Sequence, residues 1–125
     1  MLKYSPKRKG EPGSGWFDKT AYQEQVSYLY NPIRSVAELK ELILQMRAAY
    51  PKVDVPVLLV HSKDDTYVLP ENMERIYAGL VNTHDKTKLY ITGSGHVVTL
   101  DAAHEQVFQS AMEFIQRIES SGEAV

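Results

Sequence analysis

The chain contains no cysteine. That excludes a disulfide framework and a thiolate metal site, and it leaves the redox compartment open. Long apolar runs are missing too: none approaches the ~20 residues of a membrane-spanning helix. Nor is one sign of charge in excess. The 14 Lys and Arg stand against 16 Asp and Glu, a net charge of -2, which gives no electrostatic reason to expect a nucleic-acid partner. Lys3, Lys7, Arg8 and Lys9 make the opening residues basic, but no apolar core follows them, so they are not expected to act as a signal peptide. A solvated terminus is the plain reading of this segment, and a contact for acidic lipid or a phosphate-bearing partner is the sharper one. The expectation is a soluble, cytoplasmic protein. What is present, 43% hydrophobic and 24% charged residues in 125, suits one globular domain.

The pattern divides the chain into four stretches. Residues 1–16, with Gly10-Glu11-Pro12-Gly13-Ser14-Gly15, read as a flexible basic, Gly/Pro-containing segment. Residues 17–52 read as two helices. Tyr22, Val26, Leu29 and Tyr30 share one helical face that Asn31-Pro32 ends. Ser35 and Glu38 have capping-box spacing ahead of an apolar stripe from Val36 to Tyr50. Residues 53–120 change character: Val53–Val60 is β-branched and apolar without alternation, as in a strand buried on both faces. A helix begins near Pro70 and presents Met73, Ile76, Tyr77 and Leu80. A strand follows at 87–92, and a last helix over 102–119 presents Val107, Ala111, Phe114, Ile115 and Ile118. Residues 121–125 are a tail.

The order α-α-β-α-β-α makes the chain α/β, with a right-handed crossover and two parallel strands. Two parallel strands cannot close a core unaided. The chain therefore either self-associates or forms one end of a larger α/β protein.

In open parallel sheets, chemistry collects at the carboxyl ends of the strands. Asp65 follows the first strand and His96 the second. Neighbouring strands lie ~5 Å apart, so two short loops can join the carboxylate to the imidazole. An Asp that accepts from one ring nitrogen fixes the tautomer and leaves the other nitrogen to act as base and acid. As isolated loop residues, both would be merely solvated. A metal reading from His61, Asp65, His96 and His104 has no recognisable ligand spacing, so no metal is expected. Asp101 is expected to cap the last helix. His61 reads as structural and His84 as exposed. Trp16, Phe17, Tyr22, Tyr28 and Tyr30 suit either an acyl pocket or a helical core.

The run Val57-Leu58-Leu59-Val60-His61-Ser62-Lys63-Asp64-Asp65-Thr66-Tyr67-Val68-Leu69-Pro70 resembles the acid loop of the α/β-hydrolase superfamily, an apolar strand followed by Gly-x-x-Asp-x-x-Val-x-Pro. Tyr90-Ile91-Thr92-Gly93-Ser94-Gly95-His96-Val97-Val98-Thr99-Leu100-Asp101 resembles the histidine loop of its carboxylesterases and monoacylglycerol lipases. Residues 17–52 are similar, more loosely, to the helical cap of these enzymes. The resemblance implies the carboxyl-terminal portion of an α/β-hydrolase fold. Its last two parallel strands are preceded by a cap, with Asp65 as the acid, His96 as the base and Asp64 as a solvated neighbour. It implies an acyl-ester or monoacylglycerol substrate and no cofactor. Ser62 replaces the usual Gly. No Gly-x-Ser-x-Gly occurs: Ser14 is flanked by Pro12 and Trp16, and Ser94 by Thr92 and His96. The oxyanion-hole loop, which precedes the nucleophile in this family, is absent as well. The expectation is a fragment of a serine hydrolase, inactive alone, that self-associates or pairs with an amino-terminal half. A non-catalytic interaction module, or another reaction on the same fold (haloperoxidase, thioesterase or serine aminopeptidase), is the alternative.

Overall fold

The computed structural model describes residues 3–6 and 11–122. In chain order the elements are β1 (Tyr4–Pro6), α1 (Lys19–Glu24), β2 (Tyr30–Pro32), α2 (Ile33–Ala49), a 3-10 turn (Tyr50–Lys52), β3 (Val57–Ser62), α3 (Glu71–Gly79), β4 (Lys86–Ile91) and α4 (His104–Ser121). β3 and β4 are parallel, in register from Val57 opposite Lys86 to Ser62 opposite Ile91. α3 makes the crossover between them. Met73 and Leu80 from this crossover, Ile91 from β4 and Val107 from α4 are buried.

The amino-terminal half departs from its sequence pattern. The expected first helix is only six residues long. Asp18 caps it through the amides of Thr20 and Ala21, and by Gln25 the backbone is extended. Val26 is 97% exposed, so no tertiary surface rewards helix beyond Glu24. The chain instead forms β2, which pairs antiparallel with β1. Part of the segment expected to be flexible is thus a strand; residues 7–10 lie outside the described residues.

The expected capping box is not used either. α2 starts at Ile33, two residues before Ser35, with Pro32 at the cap position. The Ile33 amide, one of the helix's orphan donors, bonds to the Lys3 carbonyl at 3.2 Å, so a backbone carbonyl serves in place of a capping side chain.

β3 begins after Pro56, which has no N–H to give to a ladder, and it extends through His61 and Ser62, beyond the Val60 limit read from hydropathy. Lys86 donates from Nζ to the carbonyls of Tyr77 and Leu80 (3.0 and 2.8 Å), placing a cation at the carboxyl end of α3. Arg117 on α4 grips Asp85 with two bonds of 2.6 and 3.0 Å.

Much apolar surface stays outside. Leu39, Leu42 and Leu44 on α2 are more than half exposed. On α4, Phe108, Met112 and Ile115 form an exposed stripe beside the packed one of Val107, Ala111, Phe114 and Ile118. Ile115 belongs to the exposed stripe, not to the packed face read from the sequence.

Candidate active site

The carboxyl ends of β3 and β4 are laced together before any functional side chain is reached. The Lys63 amide bonds to the Ile91 carbonyl at 2.9 Å. Asp64 Oδ2 accepts the Gly93 amide at 2.7 Å. The buried Ser62 hydroxyl donates to the Ser94 carbonyl and accepts the Asp64 amide. The substitution of Ser for the usual Gly at 62 therefore adds a link between the two loops that glycine could not make.

Asp65 sits inside this frame with its side chain 3% exposed. Its Oδ1 accepts the amides of Tyr67 (2.8 Å) and Val68 (3.0 Å), closing an Asx turn. Its Oδ2 lies 2.8 Å from His96 Nδ1. Burial by itself raises the Asp65 carboxyl, but the His96 hydrogen bond and the amides of Val68 and Tyr67 outweigh it. The net effect holds the acid below its ordinary value. An ionised Asp65 can only accept, so His96 carries its hydrogen on Nδ1. No partner contacts Nε2 of His96 among the described residues. The His96 ring is about half exposed, and the Tyr67 ring lies 5.7 Å from it. A base with a fixed tautomer and an open second nitrogen is what general acid–base chemistry requires.

Asp101 does not cap the last helix, which starts at His104 without a side-chain cap. It is fully buried and gathers backbone amides from three places. Oδ1 accepts Asp18 (2.6 Å), Ala102 (2.8 Å) and Phe17 (3.0 Å), and Oδ2 accepts Gly95 (2.6 Å). Burial raises this carboxyl as well, and the amides of Asp18, Gly95, Ala102 and Phe17 bring it below its ordinary value. The loop carrying His96 is thereby fastened to the segment leading into α1. Gly15 and Gly95 meet there so closely that a Cβ on Gly95 would overlap the Gly15 carbonyl oxygen.

This junction forms one wall of a cleft of about 520 Å³. Gly15, Trp16 and Phe17 face Lys63, Asp64, Asp65 and Thr66 across it. Trp16 and Phe17 reach the cleft, whereas Tyr28 and Tyr30 are 85% and 56% exposed. Tyr22 packs on Trp16, ring centroids 6.1 Å apart.

The remaining polar residues fall elsewhere. His104 Nδ1 meets the Asp101 carbonyl at 2.9 Å, and His84 is exposed. No group of three or more His, Cys, Asp or Glu among the described residues is arranged to hold a metal. Ser94 is fully buried and its hydroxyl has no partner among the described residues. The Asp101 hub and the Ser62 bridge escaped the sequence reading. The only signal for Asp101 was an acid six residues after Gly95, and helix capping explained it equally well.

Comparison with known proteins extends this geometry. Residues 11–121 match the model of the prolyl oligopeptidase family. Over 97 residues the chain is 28% identical to a carboxylesterase of Bacillus subtilis (strain 168), covering 78% of this chain and 39% of that protein. Over 94 residues it is 28% identical to a thermostable monoacylglycerol lipase of Bacillus sp. (strain H-257), covering 75% and 37%. A solved structure from the work on LipS and LipT, two metagenome-derived lipolytic enzymes, shares the fold with a TM-score of 0.76. It matches 94% of this chain and 45% of its own, at 24% identity. The chain thus spans less than half the length of each.

Proposed function

This chain belongs to the prolyl oligopeptidase family and has a partial α/β-hydrolase fold, and from that membership we propose that it supplies the acid and base of a serine-type carboxylic ester hydrolase. His96 would take the proton of an attacking serine at Nε2 and deliver it to the leaving alcohol. Asp65 would accept from Nδ1 throughout and stabilise the imidazolium. The observation that carries this reading is the 2.8 Å contact between Asp65 Oδ2 and His96 Nδ1, with Nε2 left open. The carboxylesterase and the monoacylglycerol lipase among its relatives favour acyl esters or monoacylglycerols as substrates. In this reading residues 17–52 belong to a cap and residues 53–120 to the catalytic core. The nucleophile and oxyanion hole come from a preceding half, without which residues 1–125 are inactive.

The test is a chimera. Residues 11–121 would replace the matching portion of the Bacillus subtilis carboxylesterase, and p-nitrophenyl butyrate hydrolysis would be measured. Turnover should fall by at least about 10³-fold in His96→Ala. A folded, active chimera indifferent to His96→Ala would overturn the assignment. The 125-residue chain alone should stay at the imidazole background, and phosphonate-sensitive turnover by it would reveal a nucleophile of its own. The exposed apolar faces of α2 and α4 favour a second reading, a docking module without catalysis. An active chimera dependent on His96 would exclude it.

A further inference from the structure

His61 lies on β3, four residues before Asp65, and its ring is largely buried, 16% exposed. Its Nε2 stands 2.9 Å from the Val68 carbonyl oxygen and 3.2 Å from Asp65 Oδ2. A carbonyl and an ionised carboxylate can only accept. Nε2 must therefore carry a hydrogen, which it donates to the Val68 carbonyl, while Asp65 Oδ2 stands beside the same nitrogen at ion-pair distance without a hydrogen bond from it.

The consequence is a relay. Val68 donates its N–H to Asp65 Oδ1 and accepts from His61 at its carbonyl, so His61 is tied to Asp65 through the Val68 residue. The two Oδ1 donors, Tyr67 and Val68, belong to the same turn as Asp65 and move with it. Oδ2 accepts from His96, the half-exposed ring being positioned, while His61 holds the Val68 carbonyl from the sheet. His61 thereby fixes Val68, whose amide helps set the rotation that aims Oδ2 at His96.

We propose that His61 is a positioning residue for the Asp65–His96 pair. Its Nε2–H staples the Val68 carbonyl to β3, and through the Val68 amide it holds Asp65 where Oδ2 keeps His96 in the Nδ1–H tautomer. The proposal rests on the reading of Asp65 and His96 as acid and base. Its test therefore examines the pair directly and not turnover.

The experiment is long-range proton–nitrogen NMR of the full chain, with histidines labelled with nitrogen-15, at a pH where the rings are neutral. The wild type should show His61 as Nε2–H and His96 as Nδ1–H. Gln and Met have similar shapes, but only Gln retains an N–H donor. His61→Gln should keep His96 about nine-tenths Nδ1–H, and His61→Met should lower that fraction to about half or less, because neutral imidazole left unheld exchanges between tautomers. Equal His96 signals in the two variants, or a wild-type His61 found as Nδ1–H, would overturn the proposal. Should His61→Met lose its dispersed spectrum, the wild-type His61 tautomer decides alone. Asp65→Asn separates the two levels: a His96 Nδ1–H population that survives it defeats the acid–base reading itself, whatever the His61 variants do.

Discussion

The Gly15 carbonyl oxygen lies 1.6 Å from where a Cβ on Gly95 would stand, so two glycines 80 positions apart share one van der Waals space. This contact joins the amino-terminal segment to the loop of the candidate base. Backbone atoms fill the space, and no flexible side chain can give way. Gly95→Ala should therefore cost about 3 kcal/mol or release residues 11–18 from the cleft. Gly93 is the control. A Cβ there meets nothing within 4 Å, but φ is +74°, so Gly93→Ala should cost only about 1–2 kcal/mol of left-handed strain. Urea unfolding followed by Trp16 fluorescence measures both, and equal costs would contradict the contact.

Asp101→Asn probes the amide hub. Asparagine has one oxygen and one NH2, so at least one of the Asp18 and Gly95 amides would face a donor. A loss of about 2–4 kcal/mol is expected, as for a buried hydrogen-bonded charge that loses its match. A variant within 0.5 kcal/mol of wild type, a threshold of about the size of ordinary surface effects, would show that the hub contributes little.

Both buried acids also set the response to pH. The folded-state values of Asp65 and Asp101 are depressed. Their stabilisation is fully present above the unfolded carboxyl value of about 3.9 and is lost as pH falls from there through the depressed folded values. In that window the unfolded chain binds more protons, so stability must rise with pH. Urea midpoints should change little near neutrality and drop steeply below about pH 4. The drop should be shallower in Asp101→Asn; an identical acid slope in that variant would remove Asp101 from the explanation.

Ser62→Gly restores the residue usual in the resembling motif, yet here it should destabilise. The hydroxyl's bonds to Ser94 and Asp64 are lost in a fully buried setting, and glycine adds backbone entropy to the unfolded chain. The combined cost should be about 2 kcal/mol. A neutral or stabilising Ser62→Gly in thermal unfolding would mean the bridge is incidental.

The exposed stripes of α2 and α4 should make the isolated chain associate in a concentration-dependent way. Sedimentation velocity should give a weight-average mass above 14.2 kDa that rises with loading. Leu39→Lys with Phe108→Glu should lower it. A strictly monomeric wild type would show that these faces are tolerated in water.

What was legible in the sequence follows from physics that acts locally. The unbroken apolar run at 57–60, the stripe Met73, Ile76, Tyr77 and Leu80 and the strand pattern at 87–92 make β3, α3 and β4 legible, because burial and period decide such elements. The Asp65–His96 contact was legible because adjacent parallel strands leave few places for two short loops to go. The stretch Tyr22–Tyr30 misled because its helical period has no surface to pack on, and β2 forms through a partner strand distant in sequence. The parts played by His61, Ser62 and Asp101, which the sequence offers as a structural ring, a replaced glycine and a helix cap, are not legible because they consist of bonds to backbone atoms of other residues, which leave no mark on side-chain patterning.

The bonds from Phe17 and Asp18 to Asp101 span 84 and 83 residues, whereas β3 meets β4 across only 29, from Val57 to Lys86. Closing the longer loop costs about 1 kcal/mol more in chain entropy. The β3–α3–β4 unit can therefore assemble before the clasp at Asp101 exists, and the clasp should be the first part to open. Native-state hydrogen exchange should find the Asp18 amide opening at lower free energy than the β3–β4 ladder, and the reverse order would contradict this sequence of events. Opening of this clasp should therefore loosen the Gly95 side of the His96 loop, while its ties to Ser62, Asp64 and Asp65 and the sheet beneath stay intact.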